Sequence, residues 1–295
     1  MKRILLIGKD GQLGQELQPF LGSLGSFVAV GRDTLDLSKS QEIGRLIEEI
    51  KPEWVINAAA YTAVDKAESE PELAMAINGI APGVLAKCCQ QLDATFIHIS
   101  TDYVFDGTQS HPYIETDLTH PIGVYGQSKL AGEIAIQDTQ AQFAILRTAW
   151  VYGVGGTGNF VKTMLRLGKE REEIRVVCDQ VGSPTWTGDL AKSIVELIPR
   201  LNSETYGIYH CTNSGVTSWY DFAIAIFEEA ELLGFPLKIK RVIPITTPEY
   251  PTPARRPAYS VLSGKKLANL LGTHAPQWRQ GLRRMLQELK VKQAI

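Results

Sequence analysis

The sequence predicts an α/β protein with a doubly wound parallel sheet and a smaller second α/β lobe. Short aliphatic runs alternate with amphipathic stretches through the first half of the chain, which is the rhythm of parallel strands joined by helices. The first run, Arg3 to Ile7, is ended by glycine, as expected for a short buried strand. With 295 residues, 44% of them hydrophobic, the chain can bury a core of this size.

The turn after this first strand has the sequence GKDGQLG, with glycines at Gly8, Gly11 and Gly14, and a helical pattern follows it. A helix that begins at such a turn can hold a pyrophosphate on its free backbone N–H groups, as in Rossmann-like folds. The spacing departs from the common G-x-G-x-x-G, and a tight turn that needs glycine only for packing is the alternative. We favour nucleotide binding because a strand precedes the turn and a helix follows it.

The second predicted strand, Phe27 to Val30, is followed by Arg32 and Asp33. At this place an acid accepts a hydrogen bond from the ribose 2'-hydroxyl of NAD, whereas an arginine pairs with the 2'-phosphate of NADP. Arg32 therefore favours NADPH, and the neighbouring acid keeps NADH open. Asp36 and Leu37 come next and could cover the adenine.

The next strands are predicted at Trp54 to Ile56, Thr95 to Ile99 and Gln142 to Leu146, separated by helices near residues 40–50 and 73–92. The residues Asn57 to Ala60 follow the first of these strands. Three small residues in succession let a cofactor approach the backbone at the carboxyl end of a strand, where open α/β sheets bind ligands.

Tyr125 and Lys129 lie four residues apart where a helix is predicted to begin, so both should point from one face of it. A nearby ammonium stabilises a phenolate, which would suit Tyr125 to act as a general acid. A bare Tyr-x-x-x-Lys is common in cores and on surfaces. The pair gains weight from the glycine turn and from Thr101, which closes an apolar strand just before it.

After about residue 153 the alternation loosens, and we expect a dinucleotide-binding domain at 1–153 and mainly a substrate-binding lobe at 154–295, with segments returning to the first domain. Residues 244–257 should be an ordered loop, since aromatic and charged residues interleave its prolines. Further elements are predicted as helices near 160–168, 187–198, 218–231 and 277–289, and as strands near 174–177 and 206–210.

Composition excludes several classes of function. The net charge of −2, with both signs interspersed, gives no broad basic face for nucleic acid. The four cysteines and five histidines have no metal-binding spacing and no disulfide pattern, and reduced thiols fit a cytoplasmic protein. The apolar run after Met1 ends at Gly8, too short for export or for crossing a membrane, and we expect no later run to span a bilayer.

Together with Gly8, Gly11 and Gly14, the residues Thr101, Tyr125 and Lys129 form a pattern that resembles the extended short-chain dehydrogenase/reductase family. The resemblance extends to three longer stretches: residues 57–68 (NAAAYTAVDKAE), 100–105 (STDYVF) and 251–257 (PTPARRP). The resemblance is to the branch of this family that reduces dTDP-linked 4-keto-6-deoxy sugars. It implies hydride transfer from NADPH or NADH to C4 of dTDP-4-dehydro-L-rhamnose, the last step of dTDP-L-rhamnose synthesis.

The resemblance also implies roles. Tyr125 would give the carbonyl oxygen its proton, Thr101 would donate a second hydrogen bond to that oxygen, and Lys129 would hold the nicotinamide ribose and lower the tyrosine pKa. Other positions would contact cofactor or substrate: Gly11, Gln12 and Leu13 the pyrophosphate, Asp36 and Leu37 the adenine region, Ala60, Tyr61 and Thr62 the middle of the cofactor, and Asp102, Trp150 and Arg256 the substrate. The alternatives are core packing for Trp150 and a surface salt bridge for Arg256.

Related dehydratases place an Asp-Glu pair after the threonine, but here Asp102 is followed by Tyr103, which disfavours dehydration. Some reductases of this branch are credited with a magnesium ion between the subunits of a homodimer. Glu16, Asp189 and Glu288 could take part, but surface carboxylates are the default interpretation, and we expect no metal.

Two alternatives for function remain open. One is a reductase of another nucleotide-linked 4-keto-6-deoxy sugar, which sequence motifs separate poorly from the first. The other is a non-catalytic regulatory subunit of a methionine adenosyltransferase. Such a subunit needs no proton donor, so the intact Thr101, Tyr125 and Lys129 favour an enzyme.

Overall fold

A six-stranded parallel sheet forms the centre of the computed structural model, which describes residues 2–293. In space the strands run in the order β10, β5, β4, β3, β1, β2, and all neighbours are parallel, as predicted. The order reverses between β1 and β3, and open α/β sheets bind their ligands at such a point. The strands are β1 (Lys2–Ile7), β2 (Gly25–Val30), β3 (Trp54–Asn57), β4 (Thr95–Thr101), β5 (Gln142–Thr148) and β10 (Gly207–His210).

Helices cover both faces of this sheet because successive strand residues point to opposite sides. In β1, Ile4 and Leu6 pack with α1 and α8, whereas Leu5 and Ile7 pack with α2, α5 and α6. The helices are α1 (Gln12–Leu21), α2 (Gln41–Ile50), α3 (Val64–Ala67), α4 (Pro71–Met75), α5 (Ala81–Gln91), α6 (Val124–Gln137), α7 (Phe160–Glu170), α8 (Thr187–Leu197), α9 (Trp219–Leu232), α10 (Lys265–Leu271) and α11 (Trp278–Gln293).

α4 and α5 form one helix, Pro71–Gln91, interrupted by a π-helical segment at Ala76–Ile80. By length and composition alone this 21-residue helix could cross a membrane, which the sequence analysis did not expect. Its buried residues, such as Leu85 and Cys89, face the central sheet, as in a core helix of a globular domain.

A second hydrophobic core is formed by α7, α9 and α11 with two small sheets. The short strands of this region are β6 (Val151–Tyr152), β7 (Glu173–Val177), β8 (Val181–Gly182), β9 (Thr185–Trp186), β11 (Thr217–Ser218) and β12 (Arg241–Ile245). They pair as β6 with β9, β7 with β12, and β8 with β11. The predicted helices and strands of this half are present within a few residues of their predicted ends.

The predicted loop at 244–257 is partly wrong, because its first residues belong to β12 and a 3₁₀ turn follows at Thr247–Glu249. Within residues 2–293, β12 pairs only with β7, and an edge strand tolerates Pro244, which cannot donate to a ladder. β10 and α8 come from the later half of the chain yet pack in the first core. The division at residue 153 stays a prediction.

Candidate active site

A cleft of about 820 Å³ opens along the carboxyl ends of the central strands. It contains the ends of β1 and β4 and the segments that follow β2, β3 and β5, because the carboxyl ends of parallel strands meet at one edge of the sheet. Of the sequence-predicted site residues, the cleft lining includes Gly8, Gly11, Gln12, Leu13, Arg32, Asp36, Leu37, Ala60, Tyr61, Thr62, Thr101, Asp102, Tyr125, Lys129 and Trp150. Gly14 and Arg256 are not part of it.

The three glycines of the first turn have different tasks. Gly8 has a φ of +93°, and a Cβ there would lie 2.8 Å from the backbone nitrogen of Ala59. A Cβ at Gly14 would collide with the carbonyl oxygen of Gly8. Gly14 therefore packs α1 against the turn, and its predicted place in the cofactor site stays a prediction. Gly11 lines the cleft, and a Cβ there would lie 3.4 Å from the Gly8 carbonyl oxygen, an ordinary contact.

The N-terminus of α1 suits an anion. Gly11 is its N-cap, so no side chain caps the first N–H groups, and the first turn carries no acid. Gln12 and Leu13, in that first turn, line the cleft. Free N–H groups and the positive end of the helix dipole favour a phosphate. These residues fit the pyrophosphate of a dinucleotide.

At one end of the cleft, Arg32 is exposed and lies near Asp36. The Asp36 carboxylate accepts hydrogen bonds from the Ser38 amide at 3.0 Å and hydroxyl at 2.8 Å. These bonds lower the pKa of Asp36, and the charge of Arg32 lowers it further. Asp36 is thus held in a turn as an anion, while the Arg32 side chain extends into solvent.

The segment Ala60 to Thr62 is clamped from behind by Asn78, which sequence reasoning missed. The Asn78 amide accepts from the Tyr61 N–H at 2.9 Å and donates to the Tyr61 carbonyl at 3.0 Å. It also donates to the Ser128 hydroxyl at 3.1 Å. Asn78 lies in the π-helical segment, and such segments often occur at functional sites. The clamp holds this cleft wall against α6, which carries Tyr125.

Thr101 and Tyr125 meet in the cleft although 24 residues separate them in sequence. Burial raises the pKa of Tyr125 to about 12, the charge of Asp102 raises it further, and the neighbouring Thr101 hydroxyl opposes the change. The charge of Lys129 is not among the causes of this shift, so the expected lowering of this pKa by Lys129 stays a prediction. Tyr125 keeps its proton at neutral pH and is available as a donor.

Lys129 is fully buried rather than a solvated helix charge. Its Nζ donates to the Ile99 carbonyl at 2.6 Å and lies 3.1 Å from His98 Nε2. Burial lowers the pKa of Lys129 to about 8, and the charge of Glu133 opposes that change. Lys129 therefore titrates much closer to neutrality than an ordinary lysine.

Asp102 is buried beside Thr101, whose hydroxyl donates to Asp102 Oδ1 at 3.0 Å. Burial raises the pKa of Asp102 to about 6, although hydrogen bonds with Ser260 and Thr101 oppose this. Asp102 Oδ2 has no hydrogen-bond partner among residues 2–293. The single proton of Thr101 is thus directed at Asp102 Oδ1, while Oδ2 is buried without such a partner.

Two tryptophans form the wall opposite the central sheet. Trp150, in the left-handed region with φ +48°, stacks on Trp219 with ring centroids 3.5 Å apart and planes within 6°. Both line the cleft. The sequence did not identify Trp219 as a site residue. It lies 69 positions after Trp150, and the local sequence shows only that a helix begins after Ser218. The stack offers an aromatic surface to a ligand.

Arg256 lies outside the cleft lining, where its Nη2 pairs with Asp65 at 2.8 Å. The salt bridge that sequence analysis gave as the alternative is present, and the phosphate role stays a prediction.

Of the three acids considered for magnesium, Asp189 already accepts from Arg284 and Asn213. Glu16 has a raised pKa, first by burial and then by the charge of Glu288. Within residues 2–293 no group of three or more His, Cys, Asp or Glu side chains is arranged to hold a metal ion. The structure gives no support to a magnesium site.

A glycine turn at a helix N-terminus that shares one cleft with Thr101, Tyr125 and Lys129 defines a short-chain dehydrogenase/reductase, a class that uses a nicotinamide dinucleotide. A family model described as "RmlD substrate binding domain" matches residues 1–291. The chain belongs to that family.

Relatives match the chain over nearly their whole lengths. The chain is 46% identical over 285 residues to a dTDP-4-dehydrorhamnose reductase of Burkholderia thailandensis, covering 94% of this chain and 95% of that protein. It is also 46% identical over 298 residues to one of Escherichia coli K12, covering 99% of each. A crystal structure of a Bacillus anthracis dTDP-4-dehydrorhamnose reductase in complex with NADP superposes with a TM-score of 0.90 at 40% identity, covering 97% of this chain and 99% of that one.

Proposed function

We propose that this protein is a dTDP-4-dehydrorhamnose reductase, which reduces C4 of dTDP-4-dehydro-L-rhamnose to the alcohol in dTDP-L-rhamnose synthesis. The observation that carries the proposal is the meeting of Thr101, Tyr125 and Lys129 in one cleft with the glycine turn. Relatives that match nearly the whole chain and bear this enzyme's name support the choice of substrate.

Reduction of a ketone builds negative charge on its oxygen, so the site must supply hydrogen bonds and one proton. The bound nicotinamide supplies the hydride. Tyr125 gives the proton, since its raised pKa keeps the hydroxyl protonated until an oxyanion forms nearby. Lys129 contributes positive charge beside it when protonated.

Thr101 donates the second hydrogen bond to the carbonyl oxygen. In the free protein its proton is directed at Asp102, so the donation requires that Asp102 either take up a proton or accept from another group. Asp102 Oδ2 has no hydrogen-bond partner among residues 2–293 and can accept from a sugar hydroxyl once substrate binding exposes this buried atom. The Trp150 and Trp219 stack gives the apolar face of the sugar nucleotide a surface to pack on.

NADPH is the preferred cofactor in this proposal. Arg32 is exposed in the cleft lining just after β2, where proteins of this fold contact the 2'-hydroxyl or 2'-phosphate of the adenosine ribose. The Bacillus anthracis relative was solved with NADP. Asp36 is turned towards Ser38, so it does not compete for Arg32 through a direct hydrogen bond.

The test is the loss of reduced-nicotinamide absorbance with dTDP-4-dehydro-L-rhamnose, run with NADPH and with NADH. Tyr125→Phe should bind NADPH normally and lose turnover by roughly two to four orders of magnitude, because only the proton donor is removed. Tyr206→Phe is a matched control. The Tyr206 hydroxyl donates to the Gln142 side chain at 2.7 Å, and neither residue is part of the cleft lining, so this variant should keep its turnover.

Near-normal turnover of Tyr125→Phe would refute its role. If the unmodified protein binds NADPH but does not turn over, other nucleotide-linked 4-keto-6-deoxy sugars are tested in the same assay. Copurification with a methionine adenosyltransferase and no turnover with any such sugar would favour the regulatory subunit.

A further inference from the structure

Three buried side chains form a line that begins at the cleft lining with Lys129 and continues through His98 to Asn57. Asn57 and His98 are register partners on β3 and β4, with 3.2 Å between Asn57 Nδ2 and His98 Nδ1. On the other side of the ring, His98 Nε2 lies 3.1 Å from Lys129 Nζ. None of the roles described above uses His98.

The hydrogen bonds of Asn57 decide which nitrogen of His98 carries the proton. Asn57 Oδ1 accepts from the Ala59 amide at 3.2 Å, which turns Nδ2 towards the ring. An amide NH₂ group can only donate, so His98 Nδ1 must accept. The ring is neutral, because burial lowers its pKa well below the ordinary value even without a charge on Lys129. Its one proton is therefore on Nε2.

That proton points at Lys129. An ammonium has three donors and no acceptor, so a charged Lys129 would set N–H against N–H across 3.1 Å. An uncharged amine has a lone pair that accepts from Nε2 and still has N–H groups for the Ile99 carbonyl at 2.6 Å. The geometry is complementary to the amine.

We propose that His98 is a positioning residue for Lys129: with its tautomer held by Asn57, it fixes Nζ in the cleft wall and favours the uncharged amine. The consequence for function, which rests on the proposed reductase activity, is that the cleft loses a positive charge beside Tyr125 within the working pH range.

Other groups act on Lys129 from the elements around it. Glu133, one turn further along α6, favours the ammonium, but it is itself paired with Arg147 of β5 at 2.7 Å. Tyr125 and Asp102 line the same cleft. Burial and the His98 N–H act together against the ammonium, and Glu133 opposes both.

The first test needs neither a variant nor a substrate. In the full chain labelled with ¹⁵N-histidine, the His98 ring should show a protonated Nε2 and a bare, pyridine-like Nδ1 from about pH 6 to pH 9. Through-bond correlations assign its signals among those of the five histidines. A proton on Nδ1 would overturn the proposal, whatever the reductase assay shows.

The second test is the pH profile. The quantity measured is kcat/KM or, if no turnover is found, the affinity for NADPH. Its basic limb should lie near pH 8, where Lys129 loses its proton. His98→Phe removes the opposing N–H, so the limb should move up by about half a unit or more. His210→Phe removes a buried histidine outside the cleft lining and should leave the limb in place.

A limb that stays in place or moves down in His98→Phe would overturn the proposal, because a ring with its acceptor towards Lys129 would have stabilised the ammonium. If His98→Phe does not fold, the tautomer measurement on the unmodified protein still decides.

Discussion

Replacing Asp102 by asparagine should stabilise the folded protein at neutral pH. Asp102 is 2% exposed, and burial raises its pKa to about 6 from an ordinary value near 3.9. Between these values the folded protein keeps a proton that the unfolded chain has lost. The contribution of Asp102 to the free energy of unfolding is therefore most favourable below about pH 4 and falls as the pH rises towards 6.

The size of the effect follows from the shift. About two pH units at 1.36 kcal/mol each amount to a cost of about 3 kcal/mol at pH 7. Asparagine is neutral and can accept from Thr101 as Asp102 Oδ1 does. The NH₂ group of the asparagine takes the place of Oδ2, which has no hydrogen-bond partner among residues 2–293. Burying this unpaired donor costs about 1 kcal/mol or more, which reduces the stabilisation. We expect a net stabilisation of about 1 to 2 kcal/mol at pH 7, and a net loss of about 1 kcal/mol near pH 4, where Asp102 is already neutral and only the cost of the buried NH₂ group remains.

The assay is urea unfolding from pH 4.5 to 7.5 for the unmodified protein and Asp102→Asn. Asp106→Asn is a control of opposite sign, because hydrogen bonds from Thr108 lower the pKa of Asp106, so its carboxylate stabilises the fold above about pH 4. That variant should lose stability at pH 7. A difference for Asp102→Asn that does not change with pH, or a loss at pH 7, would refute the reasoning.

Three further outcomes are expected. Arg32→Ala should weaken NADPH binding about tenfold and NADH binding little, measured by nucleotide fluorescence, and equal losses would show that Arg32 does not read the 2'-phosphate. Glu133→Gln leaves Arg147, 3% exposed, buried without its anion and should cost about 3 to 5 kcal/mol in urea unfolding; unchanged stability would contradict the pairing. Trp219→Leu removes the ring stacked on Trp150 and should raise KM for the sugar nucleotide about tenfold without changing NADPH affinity, whereas an unchanged KM would exclude the stack from substrate binding.

The sequence alone predicted the sheet and most of the cleft, because both depend on local patterns. Aliphatic runs such as Leu5 to Ile7 define buried parallel strands, and residues directly after such strands must share one edge. Thr101, at the end of β4, could therefore be placed at that edge, whereas its meeting with Tyr125 and Lys129 was implied by the resemblance to the reductase family. The N-terminus of α6 was also predicted, since it begins at Val124 after Gly123.

Tertiary structure decided what surrounds these residues, because burial and hydrogen-bond partners come from distant segments. Asp65, separated by 191 positions from Arg256, pairs with it outside the cleft. Asn78 reaches the Tyr61 backbone through a π-helical segment that no local sequence pattern indicated. The protonation of Lys129 depends on the desolvation of a site closed by β4 and α6 and on a histidine 31 positions away. A sequence pattern identifies which groups can react, but their pKa values depend on the assembled fold.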